Sequence, residues 1–485
     1  MTQAAPLLIR NTRILDLHAK QPSDQRFDVW VVGNQIERIT AAQAQLGTDG
    51  VDCIDASKHC LIPGLVNAHT HSPASYAKGT VDIDNHPRFM WRNQAETIGR
   101  SAQEIYNCTL LTGIELIKSG VTAVIDHYPE QPFSFDDVGP VVQAYCDLGL
   151  RACIALRVYD EPYYDILPAA DRTVPAHIDD VIRSGPLTPR SASEQLALCE
   201  ALIQAYDGAG AGLIKIMVAP SAPLRCSDGF LSGLVGLSER YGIGIHTHLL
   251  ETPVAVQISH ERFGKSLVQR MQDLGMLGSH VSCAHAIYVD DDDIKRLSQT
   301  GTVVVHNPVS NLRIGDGVAP VARMHHAGVP IAFGTDGAST NDNLSILEEI
   351  KLGTILQRVQ HLPLDQWLSA QEALTMAIEG GAKAIGREGE LGRITRGQLA
   401  DFFLVNLNSI YFTPLNDIVK QLVYADLGRS IEHVIVNGQV VMRAGELTTV
   451  NTASVLGTSR EQRAQTMARN QSLYAFANEV ENYLD

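Results

Sequence analysis

The chain has no surplus of positive charge, no paired cysteine motif and no long apolar run. Lysine and arginine number 38 against 54 aspartates and glutamates, a formal charge of −16. Without a basic field to collect phosphates, nucleic acid and anionic membrane surfaces are disfavoured as partners. The eight cysteines (Cys53, Cys60, Cys108, Cys146, Cys153, Cys199, Cys226 and Cys283) are scattered, with no CxxC spacing. In a chain of this size they read as reduced, mostly buried thiols. No apolar stretch reaches the roughly 18 residues that a membrane-spanning helix needs. The opening MTQAAPLLIRNTRILDL lacks a basic segment followed by an uninterrupted apolar core, so a secretion signal is not expected. These absences point to a cytoplasmic protein. No repeat or low-complexity segment occurs either, and 45% hydrophobic with 19% charged residues is ordinary globular composition.

At 485 residues the chain suits a large domain with a smaller one attached. The first sixty residues alternate like short strands, with a hairpin signal at Gly33-Asn34. A similar texture returns in ADFFLVNL and IEHVIVNGQVVMRAGELTTV, with a second turn at Asn437-Gly438. Residues 1–63 and 391–455 are therefore read as one small β-sandwich built from both termini. Between residues 64 and 390, short apolar strands alternate with helical patterns. The strand candidates are LIPGLVNAHTH, VTAVIDHY, RACIALRVY, AGLIKIMVAP, GIGIHTHL, HVSCAHA, TVVVHNP and VPIAFGTDG. Helical stretches such as AQEIYNCTLLTGIELIKSG and DDDIKRLSQTG separate them, the second closed by Gly301 at a cap position. Eight such units in about 330 residues predict a parallel (β/α)8 barrel of the α/β class. The rival, an open doubly wound sheet, lacks support because no glycine-rich phosphate loop follows the first strand. Residues 456–485 read as one closing helix.

Ligand-type side chains gather at the C-terminal ends of these strands, the face on which barrel enzymes build their sites. The first strand ends in Ala68-His69-Thr70-His71. Alternate residues of a strand point the same way, so both imidazoles can reach one metal. The fifth ends in His246-Thr247-His248, with Glu251 three residues on, a ligand type followed by a proton carrier. His285 follows an apolar strand, and Asp336 ends IAFGTDG, where a buried carboxylate is costly unless paired or metal-bound. Each of these taken singly also suits a satisfied core or loop residue. Their occurrence on successive strand ends is what makes a metal site the better reading.

The series NAHTH, HTHLLET, CAHA, HNPVSN and FGTDGAS resembles the amidohydrolase superfamily. The likeness is to its mononuclear branch of cytosine, guanine and methylthioadenosine deaminases and s-triazine hydrolases, and it covers nearly the whole chain. It implies that His69, His71, His248 and Asp336 hold one divalent metal, Zn2+ or Fe2+, since both suit such a ligand set. It implies a proton-shuttling role for Glu251, and a role for His285 in polarising substrate or water. It selects His248 over His246 as ligand and leaves His246 to support the site. Lys215 lies at the strand that carries a bridging, carboxylated lysine in two-metal relatives, but the HxxE signature belongs to the one-metal branch.

Three further residues are candidates for substrate contact. Trp91 resembles a pocket-wall position, His127 ends the second strand, and Arg225 carries a guanidinium that forks onto carbonyl or acid groups. Lys78 and Arg92 share the first long loop without a ranking, and Asn311 is read as ordering a loop. The implied chemistry is attack of an activated water on an sp2 carbon that bears an amino group. Asp336 and His285 handle the water's proton, and Glu251 protonates the adjacent ring nitrogen as ammonia leaves. The substrate is then a small amino-substituted nitrogen heterocycle of purine, pteridine or pyrimidine type. Displacement of chloride or alkylamine from an s-triazine, and a non-catalytic relative without metal, are the alternatives. The resemblance also implies assembly into a homo-oligomer.

Overall fold

A computed structural model describes residues 6–19, 24–44, 50–129, 133–162, 174–184 and 188–483. The N-terminal strands are β1 (Leu7–Ile14), β2 (Phe27–Val32), β3 (Gln35–Ala41), β4 (Asp52–Asp55) and β5 (His59–Pro63). The barrel follows with β6 (Leu65–Thr70), β7 (Val121–Tyr128), β8 (Arg151–Val158), β9 (Ile214–Pro220), β10 (Ile245–Leu249), β11 (Val281–His285), β12 (Val303–His306) and β13 (Ile331–Phe333). The chain returns to the first sheet with β14 (Phe402–Asn406), β15 (Ile431–Val436), β16 (Gln439–Arg443) and β17 (Glu446–Leu447).

The terminal strands form one sheet, in the order β17-β16-β15-β14-β5-β1-β2-β3, with β4 beside β1. The two ends of the chain meet where β14 runs antiparallel to β5, Phe402 opposite Pro63 and Leu404 opposite Leu61. Alternation explains the core of this sheet: Leu7, Ile9, Val29, Val31, Leu61, Phe402 and Leu404 pack together on one side. Both turns read from the sequence are present. Asn437 and Gly438 have φ of 51° and 78°, the left-handed pair that a tight hairpin requires. A Cβ at Gly438 would lie 2.0 Å from the Gly33 carbonyl oxygen, so the two turns stack on each other.

The eight expected barrel strands are all present and parallel, each beside its sequence neighbour from β6 to β13. The first expected strand, LIPGLVNAHTH, is divided at Gly64 into β5 of the terminal sheet and β6 of the barrel. The division needs glycine, because a Cβ at Gly64 would lie 1.9 Å from Thr122 Oγ1. Across the closing seam, the Thr335 and Asp336 amides donate to the His69 carbonyl at 3.1 and 3.0 Å, and Asn67 Nδ2 donates to Thr335 Oγ1 at 2.7 Å. Small side chains such as Ala68, Ala123, Ala155, Ala219, Val305 and Ala332 belong to one buried cluster that links the strands. Arg151, at the start of β8, joins barrel to terminal sheet through bonds of 2.9 and 3.0 Å to Asp401, both partners buried.

Between strands, helix boundaries follow local capping chemistry. Helix Ala102–Lys118 opens with a Ser101/Glu104 capping box, and Asp291–Thr300 ends at Gly301 with φ 70°. The C-terminal segment, expected as one helix, forms two: Thr452–Arg469 and Gln471–Glu481. Asn470 interrupts it, its side-chain amide donating to the Ala95 and Ile98 carbonyls, each at 2.9 Å, at the end of helix His86–Thr97. No helix among the described residues is long and apolar enough to cross a membrane.

Candidate active site

Three histidines and an aspartate meet where β6, β10 and β13 end. His71 Nε2 lies 3.1 Å from Asp336 Oδ1 and 3.4 Å from His248 Nε2, and His69 Nε2 lies 3.3 Å from the same Asp336 oxygen. His246 stands one layer deeper, its Nε2 2.8 Å from His69 Nδ1 and its Nδ1 2.7 Å from Ser282 Oγ. The structure thus brings together all four residues expected as ligands and separates His246 from the convergence point.

Neighbouring carbonyls decide which nitrogens face inward. His71 Nδ1 donates to the His127 carbonyl at 2.9 Å, and His248 Nδ1 donates to the Ser221 carbonyl at 2.5 Å. A carbonyl only accepts, so each Nδ1 carries the proton and each Nε2 turns a lone pair inward. Burial holds His248 well below the ordinary histidine range and lowers His69 to about 4, so both are neutral at pH 7. Burial works against ionisation of Asp336, yet the facing His69 and His71 imidazoles outweigh that and hold it well below the usual carboxylate range. Its Oδ2 accepts from Ser310 Oγ at 2.6 Å. Lone pairs and an anion therefore converge on one buried point, and His69 Nε2 has no hydrogen-bond partner there. This donor set fits a divalent cation.

Glu251 stands beside this cluster, its Oε1 3.4 Å from His285 Nε2. His285 in turn donates from Nδ1 to Asn311 Oδ1 at 2.8 Å, so Asn311 orients the imidazole. The backbone at the rim is strained: Leu250, His285, Ala286 and Asp336 have φ of 44°, 74°, 48° and 58°. Non-glycine residues in the left-handed region cluster where a site demands particular side-chain directions.

These groups open into a cleft. Its wall includes His86, Phe89, Met90, Arg157, Leu224 and Arg225. Arg225 is on the cleft wall, its guanidinium 3.8 Å from the Tyr159 ring centroid. Two expectations are corrected. Trp91 does not line the cleft; it is buried against Phe476 and Ile178. Helical rotation places His86, Phe89, Met90 and Asn93 on the cleft side of the same helix and turns Trp91 away. His127 does not reach the cleft either. It is fully buried behind the ligands, its ring stacked on His248 at 4.6 Å and on His71 at 5.4 Å. Both its nitrogens lack partners, and it belongs with His69, His71 and His248 to a group whose donor atoms lie within 4.8 Å.

Lys215 is apart from the site, 42% exposed and 3.4 Å from Asp207. Lys78 pairs with Glu115, and Arg92 with Asp84 at 2.8 Å. Sequence reasoning missed His86, Asp316 and Arg157. Only the Asn-His-Pro helix start at residues 85–87 marked the first of them.

The chain is similar in sequence and in fold to known proteins. A 5-methylthioadenosine/S-adenosylhomocysteine deaminase of Caldanaerobacter subterraneus is 32% identical over 471 residues, 96% of this chain and 99% of that protein. A 5′-deoxyadenosine deaminase of Methanosarcina barkeri is 31% identical, covering 90% of this chain and 93% of its own. Among solved structures, a zinc-bound adenosine deaminase from Xanthomonas campestris superposes with a TM-score of 0.81 at 25% identity, covering 95% of this chain and 98% of that one. An atrazine chlorohydrolase from Arthrobacter aurescens shares the fold, with a TM-score of 0.80 at 21% identity over 94% of this chain and 100% of its own. Residues 60–441 match the amidohydrolase family, and the chain belongs to it.

Proposed function

We propose that this chain is a hydrolytic deaminase that releases ammonia from an amino-substituted nitrogen heterocycle, with adenine nucleosides as the first substrate class to test. The carrying observation is the convergence of His69, His71, His248 and Asp336 on one buried point, with the Glu251–His285 pair beside it. Similarity to the deaminases of adenine-containing nucleosides supports the reaction type.

His69, His71, His248 and Asp336 would hold one divalent ion, zinc or iron, with His127 as an additional donor within reach. Such an ion, when bound, polarises water and lowers its pKa toward neutrality. Asp336, anchored through Ser310, accepts a proton from the attacking water, and His285 orients that water. The water oxygen adds to the ring carbon that carries the amino group. Glu251, ionised at the start, collects the water's other proton and gives it to the neighbouring ring nitrogen, and the proton on Asp336 passes to the departing amine, so water and substrate become the oxo product and ammonia. Arg225, on the cleft wall, would contact the substrate. A cytoplasmic setting belongs to this reading, supported by eight unpaired cysteines. So does homo-oligomeric assembly, which sedimentation of the purified protein checks.

The test is ammonia release by the metal-loaded enzyme from 5-methylthioadenosine, S-adenosylhomocysteine, 5′-deoxyadenosine, adenosine, other aminated heterocycles and amino- or chloro-triazines. Ammonia from one of these is expected. Replacing Glu251 by Gln should lower kcat by a factor of about 10²–10⁴ with metal content unchanged. Chloride or alkylamine as the sole product would replace the deaminase reading, and near-normal kcat in Glu251→Gln would remove the role given to Glu251.

A further inference from the structure

Glu251 is flanked on its second side by a residue that no strand-end motif contains. His86 opens helix His86–Thr97, after Asn85, whose side chain caps that helix. Its Nδ1 lies 3.1 Å from Asp316 Oδ2 and 3.8 Å from Glu251 Oε1. With His285 Nε2 at 3.4 Å, the Glu251 carboxylate sits between two imidazoles. One turn after β12 holds both of them. Asn311 accepts from His285 and Asp316 pairs with His86, while the Asp316 amide donates to the Asn311 carbonyl at 2.8 Å. Tyr288 Oη donates to the Asp316 carbonyl at 2.5 Å and fixes the far end of the turn.

We infer that the His86–Asp316 pair is a positioning device for the proton carrier, an imidazolium that holds Glu251 ionised and aimed into the cleft before water attacks. The inference rests on the reading of Glu251 as that carrier. Glu251 must begin without a proton if it is to collect one and pass it to the ring nitrogen. Burial opposes this and raises its pKa; His285 and His86 act against that shift, and Asp316 and Asp336 add to it. His86 faces Asp316, Glu251 and Asp336. Burial lowers its pKa, but these carboxylates raise it to about 9, so it is cationic at neutral pH. Asp316 therefore has a definite function: it keeps His86 charged, and through His86 it keeps Glu251 ready.

The sign follows directly. Loss of the cation raises the Glu251 pKa, and the acid limb of kcat/KM moves to higher pH, by one to about three units for an opposite charge at this range. The experiment uses zinc-loaded enzyme with no substrate and follows the Glu251 carboxyl by infrared difference titration, its band identified by loss in Glu251→Gln. In His86→Gln the titration should move up by at least about one unit. In His86→Lys, which restores a cation, it should return toward wild type. In Asp316→Asn the His86 imidazole, followed by 15N NMR, should titrate at least about one unit lower than in wild type. Zinc content should stay equal in all variants. An unmoved Glu251 band in His86→Gln, or a lysine replacement no better than glutamine, overturns the inference. If the titrations behave as expected but no heterocycle is turned over, the functional reading fails while the His86–Glu251 coupling stands. Once a substrate is found, the kcat/KM profile of the same variants should show the same displacement.

Discussion

His69 Nδ1 reaches His246 Nε2, and His246 Nδ1 reaches Ser282 Oγ. That chain of bonds turns His69 Nε2 toward Asp336, and on the proposed reading His246 orients His69. Replacing His246 by Leu should weaken metal binding by about 10- to 100-fold, since such outer partners set ligand tautomer and basicity. Competition against a chelator of known affinity measures this, and an unchanged affinity would reduce His246 to packing. The HxH spacing said that both imidazoles leave the strand on one side. It did not say which reaches the metal, because that depends on depth: His248 meets His71, while His246 stops at His69.

At the scale of elements, the strand ends deliver the proposed ligands and close packing behind them holds those ends in place. Gly380, in a π-helical turn over Met376–Gly380, lies against β13, and a Cβ there would stand 1.8 Å from the Ile331 carbonyl oxygen. Gly380→Ala has no flexible neighbour to displace. It should cost about 1–3 kcal/mol and lower Tm by several degrees in calorimetry. It should also weaken metal binding, because β13 leads directly into Asp336. A Tm equal to wild type would show that the helix can slide without disturbing the strand. Barrel strands were legible because alternation and apolar runs are local patterns. The segment carrying His86, Phe89 and Trp91 was read as a long loop; it folds as helix His86–Thr97, and Trp91, read as a pocket wall, faces away from the cleft.

For the molecule as a whole, the metal candidates sit on the seam. His69 and His71 stand at the end of the first barrel strand and Asp336 follows the last, where the closing bonds include two amides on the His69 carbonyl, the Thr70 hydroxyl on the Asp336 carbonyl and the Asn67–Thr335 contacts. An ion shared across this seam would tie the barrel's ends together, and anything that binds only the folded state stabilises it. Chelation should therefore lower Tm and speed hydrogen exchange of the Thr335 and Asp336 amides more than that of amides in the β8–β9 ladder. Equal exchange at both places would separate the metal from closure. Gly64 marks the passage from terminal sheet to barrel, and we propose the domain division there.

By itself the sequence determined the alternation of eight strands and helices, the two stacked turns of the terminal sheet, and the order of His, Glu and Asp at the strand ends. Each of these follows from backbone periodicity, turn chemistry or spacing within a short window. Tertiary structure alone decided that His86 and Asp316 flank Glu251, that Asn311 orients His285, and that His127 lies behind the ligands. Those partners come from separate loops and strands, and only packing sets the direction and depth of their side chains.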